Sequence, residues 1–172
     1  MLNANLIASY ASSASESATA YGYVLISKTS ESGVTTQHTF KNQLSNFARA
    51  QAAYMWVGPT AANYIVPTVP SSIQIGTGAP VAPLTNVDPT DTALWAPMGG
   101  TGTKVLDFST VWLNYTSQYS VTYNVGEAVG AWTEAGLFDA LGNMFAHVQL
   151  IGFSKLSGDT VTVQWNVLHI GN

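Results

Sequence analysis

The chain has 172 residues, five basic and nine acidic side chains, a net charge of -4 and no cysteine. That length fits one domain able to bury roughly 70% of its unfolded surface without disulfide or metal support, and the missing cysteine excludes a disulfide framework, a thiolate zinc site and a cysteine nucleophile. Only 8% of residues are charged, against about 25% in ordinary soluble domains.

Neutral polar residues and aromatics fill the gap. A surface of that kind suits permanent burial against partners. Lys28, Lys41, Arg49, Lys104 and Lys155 are scattered, so they form no basic stripe for nucleic acid. No run approaches the roughly 18 apolar residues of a membrane span. The first residues lack the positive flank and apolar stretch of a secretory signal. The reading therefore expects neither nucleic acid nor membrane as a partner.

In chain order, residues 1–20 read as an extended arm, because residues 8–20 are nearly all Ala and Ser with little to bury. The remainder, 21–172, reads as a single domain. Tyr21 to Lys28 predicts a strand, Thr29 to Gly33 a turn, and Val34 to Thr39 the returning strand of a hairpin. A helix is predicted over 40–56, with Thr39 as its N-cap. Its stripe is Phe40, Leu44, Phe47, Ala48, Tyr54 and Met55. Gly58-Pro59 would stop it.

Residues 58–103 read as Pro- and Gly-rich loops interrupted by a short strand from Ser72 to Gly76. All seven prolines fall between Pro59 and Pro97, and proline cannot donate to a sheet ladder. From residue 103 the period becomes two. Leu106, Phe108, Thr110 and Trp112 share one face, as do Tyr119, Val121, Tyr123 and Val125. Met144, Ala146, Val148 and Leu150 alternate next, then Val161, Val163, Trp165 and Val167. Turn signals lie at 140–143 and 156–159. The fold class expected is mainly β, an antiparallel β-sandwich of jelly-roll or immunoglobulin-like type, with one helix in its N-terminal half.

Reactive constellations are sparse. His38, His147 and His169 lack metal-ligand spacing, and none adjoins a carboxylate cluster in sequence; His147 and His169 read as surface or packed residues. Asp88 and Asp91 are expected to cap turns through side-chain-to-backbone bonds. Glu127, Glu134 and Asp139 show no partner carboxylate at a set distance. Gly76-Thr77-Gly78 follows a strand but runs into Ala79-Pro80, not into a helix, so it fails the context of a dinucleotide site. No catalytic, cofactor-binding or metal-binding residue is assigned. Glu134 is expected to accept backbone or hydroxyl bonds at a strand end. Gly136 should permit close approach or a bulge, and Asp139 should build a hairpin turn with Gly142-Asn143.

Five strings occur in order: Ile73-Gln74-Ile75-Gly76-Thr77-Gly78, Thr90-Asp91-Thr92-Ala93-Leu94, Trp132-Thr133-Glu134-Ala135-Gly136-Leu137-Phe138-Asp139, Gly142-Asn143-Met144-Phe145-Ala146-His147, and Lys155 with the strand Thr160-Val161-Thr162-Val163-Gln164-Trp165. Over roughly residues 60–170 the chain resembles a diffuse group of phage particle proteins, tail- and fibre-associated or capsid-associated. Trp95-Ala96-Pro97 departs from the acid and basic residue expected after Leu94. The resemblance implies a virion location, a structural role without catalysis or cofactor, and other virion proteins or further copies of the chain as partners. Gly76, Gly78, Asp91, Glu134, Gly136 and Asp139 are then motif residues. Tyr10, Tyr21, Tyr23, Trp56, Trp95 and Trp112 are candidates for an interface. Three functions stay open: a tail, fibre or adaptor component, a capsid decoration protein, and a module that binds host glycans through its tryptophans.

Overall fold

The computed structural model describes residues 21–57, 66–79, 87–112 and 116–168. The expected arm, 1–20, and Tyr10 with it, lie outside the described residues, as do 58–65 and 80–86 of the loop region. Among the described residues, nine strands form one antiparallel, curled sheet: β1 (Tyr21–Thr29), β2 (Thr35–Leu44), β3 (Pro70–Gly76), β4 (Thr103–Val105), β5 (Phe108–Trp112), β6 (Thr116–Tyr123), β7 (Gly130–Asp139), β8 (Met144–Lys155) and β9 (Thr160–Leu168). Their hydrogen-bonded order is β4-β3-β7-β8-β2-β1-β9-β6-β5.

The first and last strands in that order are consecutive in the chain. Residues 103–105 pair with β3 and residues 108–112 with β6. Between them, the Leu106 N–H donates to Ser71 O at 2.9 Å and the Asp107 N–H to Ser120 O at 2.9 Å. One segment thus ties the two sheet margins together. The opposite corner is β2, which pairs with β1 through Asn42 and then with β8 through Gln43 and Leu44. Short margins joined in this way leave little unpaired strand edge.

Alternation decides what faces inward. Val24 pairs with Trp165, Val121 with Val163, Ile73 with Leu137 and Leu137 with Ala146. All belong to one buried core. Burying each large aliphatic there contributes about 1.5–3 kcal/mol. The core is pinned by polar ends of its aromatics. Tyr123 donates to Ile73 O and Gly102 O, at 3.2 and 3.1 Å, and Trp132 Nε1 donates to Ala128 O at 2.7 Å.

The helix lies elsewhere than expected. Phe40 to Leu44 belong to β2, and the helix, α1, runs over Asn46–Val57. Phe40 and Leu44 are four apart, a spacing that satisfies both a helical stripe and one face of a strand. Pairing with β1 decides for the strand, with Val24↔Phe40 and Gly22↔Asn42 in register. The N-cap is therefore Ser45, not Thr39: its Oγ accepts the Ala48 N–H at 3.1 Å and donates to Met144 O at 2.5 Å. Phe47 meets Phe145 edge-on at 5.2 Å. Phe145 stands at the β7–β8 register shift.

Val125 also departs from its expected strand and sits exposed in the loop after β6. Among the described residues, no helix is long and apolar enough to cross a membrane.

Candidate functional site

The outer face of β3, β7 and β8 is covered by residues of 77–79 and 87–98. On that face Glu134 pairs in register with Gly76 and Gln149, and Gly136 with His147. Glu134 is fully buried. Its Oε1 accepts the N–H groups of Gly78 at 3.1 Å and Ala96 at 2.8 Å. Its Oε2 accepts the Trp95 N–H at 2.9 Å and lies 3.0 Å from His147 Nε2. The other ring nitrogen, Nδ1, is 2.8 Å from Asp91 Oδ2, which also accepts the Asp88 N–H at 2.9 Å. The result is an unbroken Asp91–His147–Glu134 chain. The Trp95 ring covers the imidazole, with centroids 4.7 Å apart.

The electrostatics follow from this geometry. Burial pushes the Glu134 pKa up, but bonds from His147 and from the Ala96 and Trp95 N–H groups outweigh it and hold the carboxyl below its ordinary range. All four acceptor positions of Glu134 and both nitrogens of His147 are engaged. The arrangement therefore fastens a loop to a sheet. A small apolar cluster of Leu94, Phe138 and Met144 lies on the same side.

The glycines of the site are there for space. A Cβ on Gly76 would meet the Glu134 carboxylate, and one on Gly78 would lie 2.6 Å from Ala96 N and from Glu134 Oε1. A Cβ on Gly136 would lie 2.5 Å from the Phe138 ring. Close approach is thus the reason for glycine at 136, beside the register shift between Leu137 and Phe138. Asp139 closes the β7–β8 turn: its Oδ1 accepts the Leu141 and Asn143 N–H groups at 2.9 and 2.8 Å. Its Oδ2 accepts Thr68 Oγ1 and Asn143 Nδ2. Burial opposes ionisation of Asp139, but these bonds hold its pKa below the usual value.

Of the six motif residues, five meet around Glu134, and Asp139 stands at the far end of the same strand. Asp88 and Asp91 do cap their turn, Asp88 Oδ1 accepting the Thr90 N–H at 2.8 Å. The reading of His147 as a packed histidine holds, yet its two carboxylate partners were not anticipated. One signal pointed to Glu134: a turn over 140–143 places His147 opposite Gly136, diagonal to Glu134. Nothing local pointed to Asp91. Among the described residues, no group of three His, Cys, Asp or Glu side chains is arranged to hold a metal.

The interface candidates scatter. Tyr23 is buried, not exposed, in a row with Asn166 and Gln118 across β1, β9 and β6; Gln118 Nε2 donates to Asn166 Oδ1 at 2.9 Å. Trp95 is half-buried against His147. Tyr21, Trp56 and Trp112 lie in β1, α1 and β5, and their side chains are outside the described residues.

The chain is therefore a mainly-β protein with a loop fastened to a curled antiparallel sheet by a buried acid–imidazole–acid chain. It matches no family model, no curated protein and no solved structure.

Proposed function

We propose that this chain is a non-enzymatic structural component of a bacteriophage particle, a tail, fibre or adaptor subunit that works through contacts with other virion proteins or with copies of itself. The curled sheet then serves as a sandwich, with β2 and the 103–112 segment as its corners. One observation carries the reading: most of the few charges are buried or half-buried. Among the described residues only Glu31, Lys41, Arg49 and Asp107 are charged and exposed. Lys104 and Glu127 pair at 2.7 Å, Lys155 is buried and donates to Asn124 O at 2.8 Å, and Asp91 and Glu134 are bound to His147.

What remains outside is neutral polar surface with exposed aliphatics at both strand ends. Val66, Val69 and Leu141 lie near the β7–β8 turn, and Val34, Val125 and Leu156 at the opposite loops. Such a surface gains by association. Four of the five sequence strings behind the resemblance meet at one fastening site, which gives their order a structural purpose. The glycan reading has lost part of its basis, because Trp132 and Trp165 are fully buried.

The test is sizing of the purified protein alone, followed by co-sedimentation with separated heads and tails of its parent particle. Binding to tails supports the proposal, and binding to heads replaces it with the decoration role. A soluble monomer that ignores both, or that is retained by a glycan array, overturns it.

A further inference from the structure

We propose that Asp91, His147 and Glu134 form a proton-operated latch, in which loss of one proton from the His147 ring releases the Asp91 turn from the sheet while the rest of the covering segment stays attached. The argument starts from donors and acceptors. The Asp91 and Glu134 carboxyl groups flank one imidazole, at 2.8 Å on Nδ1 and 3.0 Å on Nε2. A carboxylate only accepts, so both contacts are hydrogen bonds only while both ring nitrogens carry hydrogen. When one proton leaves to water, a nitrogen lone pair is left facing a carboxylate oxygen. One contact then becomes repulsive.

The surroundings decide which contact fails. Glu134 sits in mid-strand on β7, fully buried, and depends on all its partners to stay dry and charged. Asp91 sits in a turn, with 13% of its side chain exposed, so water can replace the imidazole there. The remaining proton therefore stays on Nε2 towards Glu134. The charged groups facing the ring are Asp91 from the covering segment and Glu134 from β7, with Asp88 behind Asp91 in the same turn. Arg49 of α1, the helix whose Asn46 N–H donates to Pro89 O at 2.6 Å, is exposed.

Release has a defined extent. Gly78, Trp95 and Ala96 remain bound to Glu134, whereas the turn at 88–91 loses its side-chain bond to β8 and keeps the Asn46 N–H bond to Pro89 O that ties it to the start of α1.

Hydrogen exchange of the full chain from about pH 5 to 9, corrected for the intrinsic rate, tests the latch alongside imidazole 15N NMR. Amides from Thr90 to Leu94 are expected to exchange about tenfold faster once the ring has lost its proton, with Trp95 and Ala96 unchanged. In Asp91→Asn the carboxamide can donate or accept, so the step should vanish. A ring that keeps one protonation state throughout overturns the latch. So does a ring that titrates without the step at Thr90 to Leu94, or a step that survives in Asp91→Asn.

Discussion

Glu134 and His147 stand diagonally across the β7–β8 ladder, with Gly136 opposite His147 and Gln149 opposite Glu134, and the two side chains meet at 3.0 Å. Diagonal neighbours on one sheet face lie within reach of long side chains, and the space that a Cβ on Gly136 would take is filled by the Phe138 ring. Three N–H groups from the covering segment then complete the carboxylate's shell.

Removing this carboxylate should therefore be costly. Glu134→Ala strands one buried and two part-buried N–H groups and one imidazole nitrogen, and a loss of about 3–5 kcal/mol is expected in urea unfolding. Glu134→Gln keeps the shape and one acceptor oxygen, so its loss should be smaller. Equal losses would show that keeping the shape gains nothing without the second acceptor oxygen.

Acid should weaken the fold. Glu134 and Asp139 have folded-state pKa values below those of the unfolded chain. As pH falls the unfolded state takes up their protons first. The stability they contribute is thus complete above the unfolded carboxylate value of about 4, and is lost as pH falls through the lower folded values. Urea midpoints measured from neutral pH down to about 2 should drop through this window, and Asp139→Asn should flatten part of the drop.

Tyr123 joins two strands and a 3-10 turn through one hydroxyl, donating to Ile73 O and Gly102 O. Tyr123→Phe should cost about 1–3 kcal/mol by leaving these buried carbonyls short of a donor. Burial, with the nearby Glu127 and Asp107 charges, pushes its pKa well above the usual phenol value. A spectrophotometric titration should find more tyrosines ionising in the ordinary alkaline range in the unfolded chain than in the folded one, since burial raises Tyr23 and Tyr119 as well, and the difference should shrink by one in Tyr123→Phe.

The position of the helix start is testable by a paired substitution. Ser45→Ala removes the cap and the bond to Met144 O, and about 0.5–2 kcal/mol should be lost. Thr39→Ala, in mid-strand on β2, should cost less than about 1 kcal/mol. A reversal of that order in thermal unfolding would place the cap back at Thr39.

Much of the strand pattern is legible from residues alone, because alternation such as Val161, Val163, Trp165 and Val167 is a local property of a half-buried strand. The β7–β8 turn is legible for the same reason, since Asp139, Gly142 and Asn143 satisfy it among themselves. The helix start is not: spacing by four serves two periods, and β1 decides between them. Among the motif residues Glu134 was readable as an acceptor, but its donors lie 38 to 56 residues away in the chain.

By itself, then, the sequence determined that this is a β-rich chain with few charges and a carboxylate that must find partners, since composition and short-range periodicity carry that information. Only the tertiary structure decided that the partners are His147 and a loop holding Asp91. Contacts between distant segments depend on how the sheet curls and which strands become neighbours, and no local pattern encodes either.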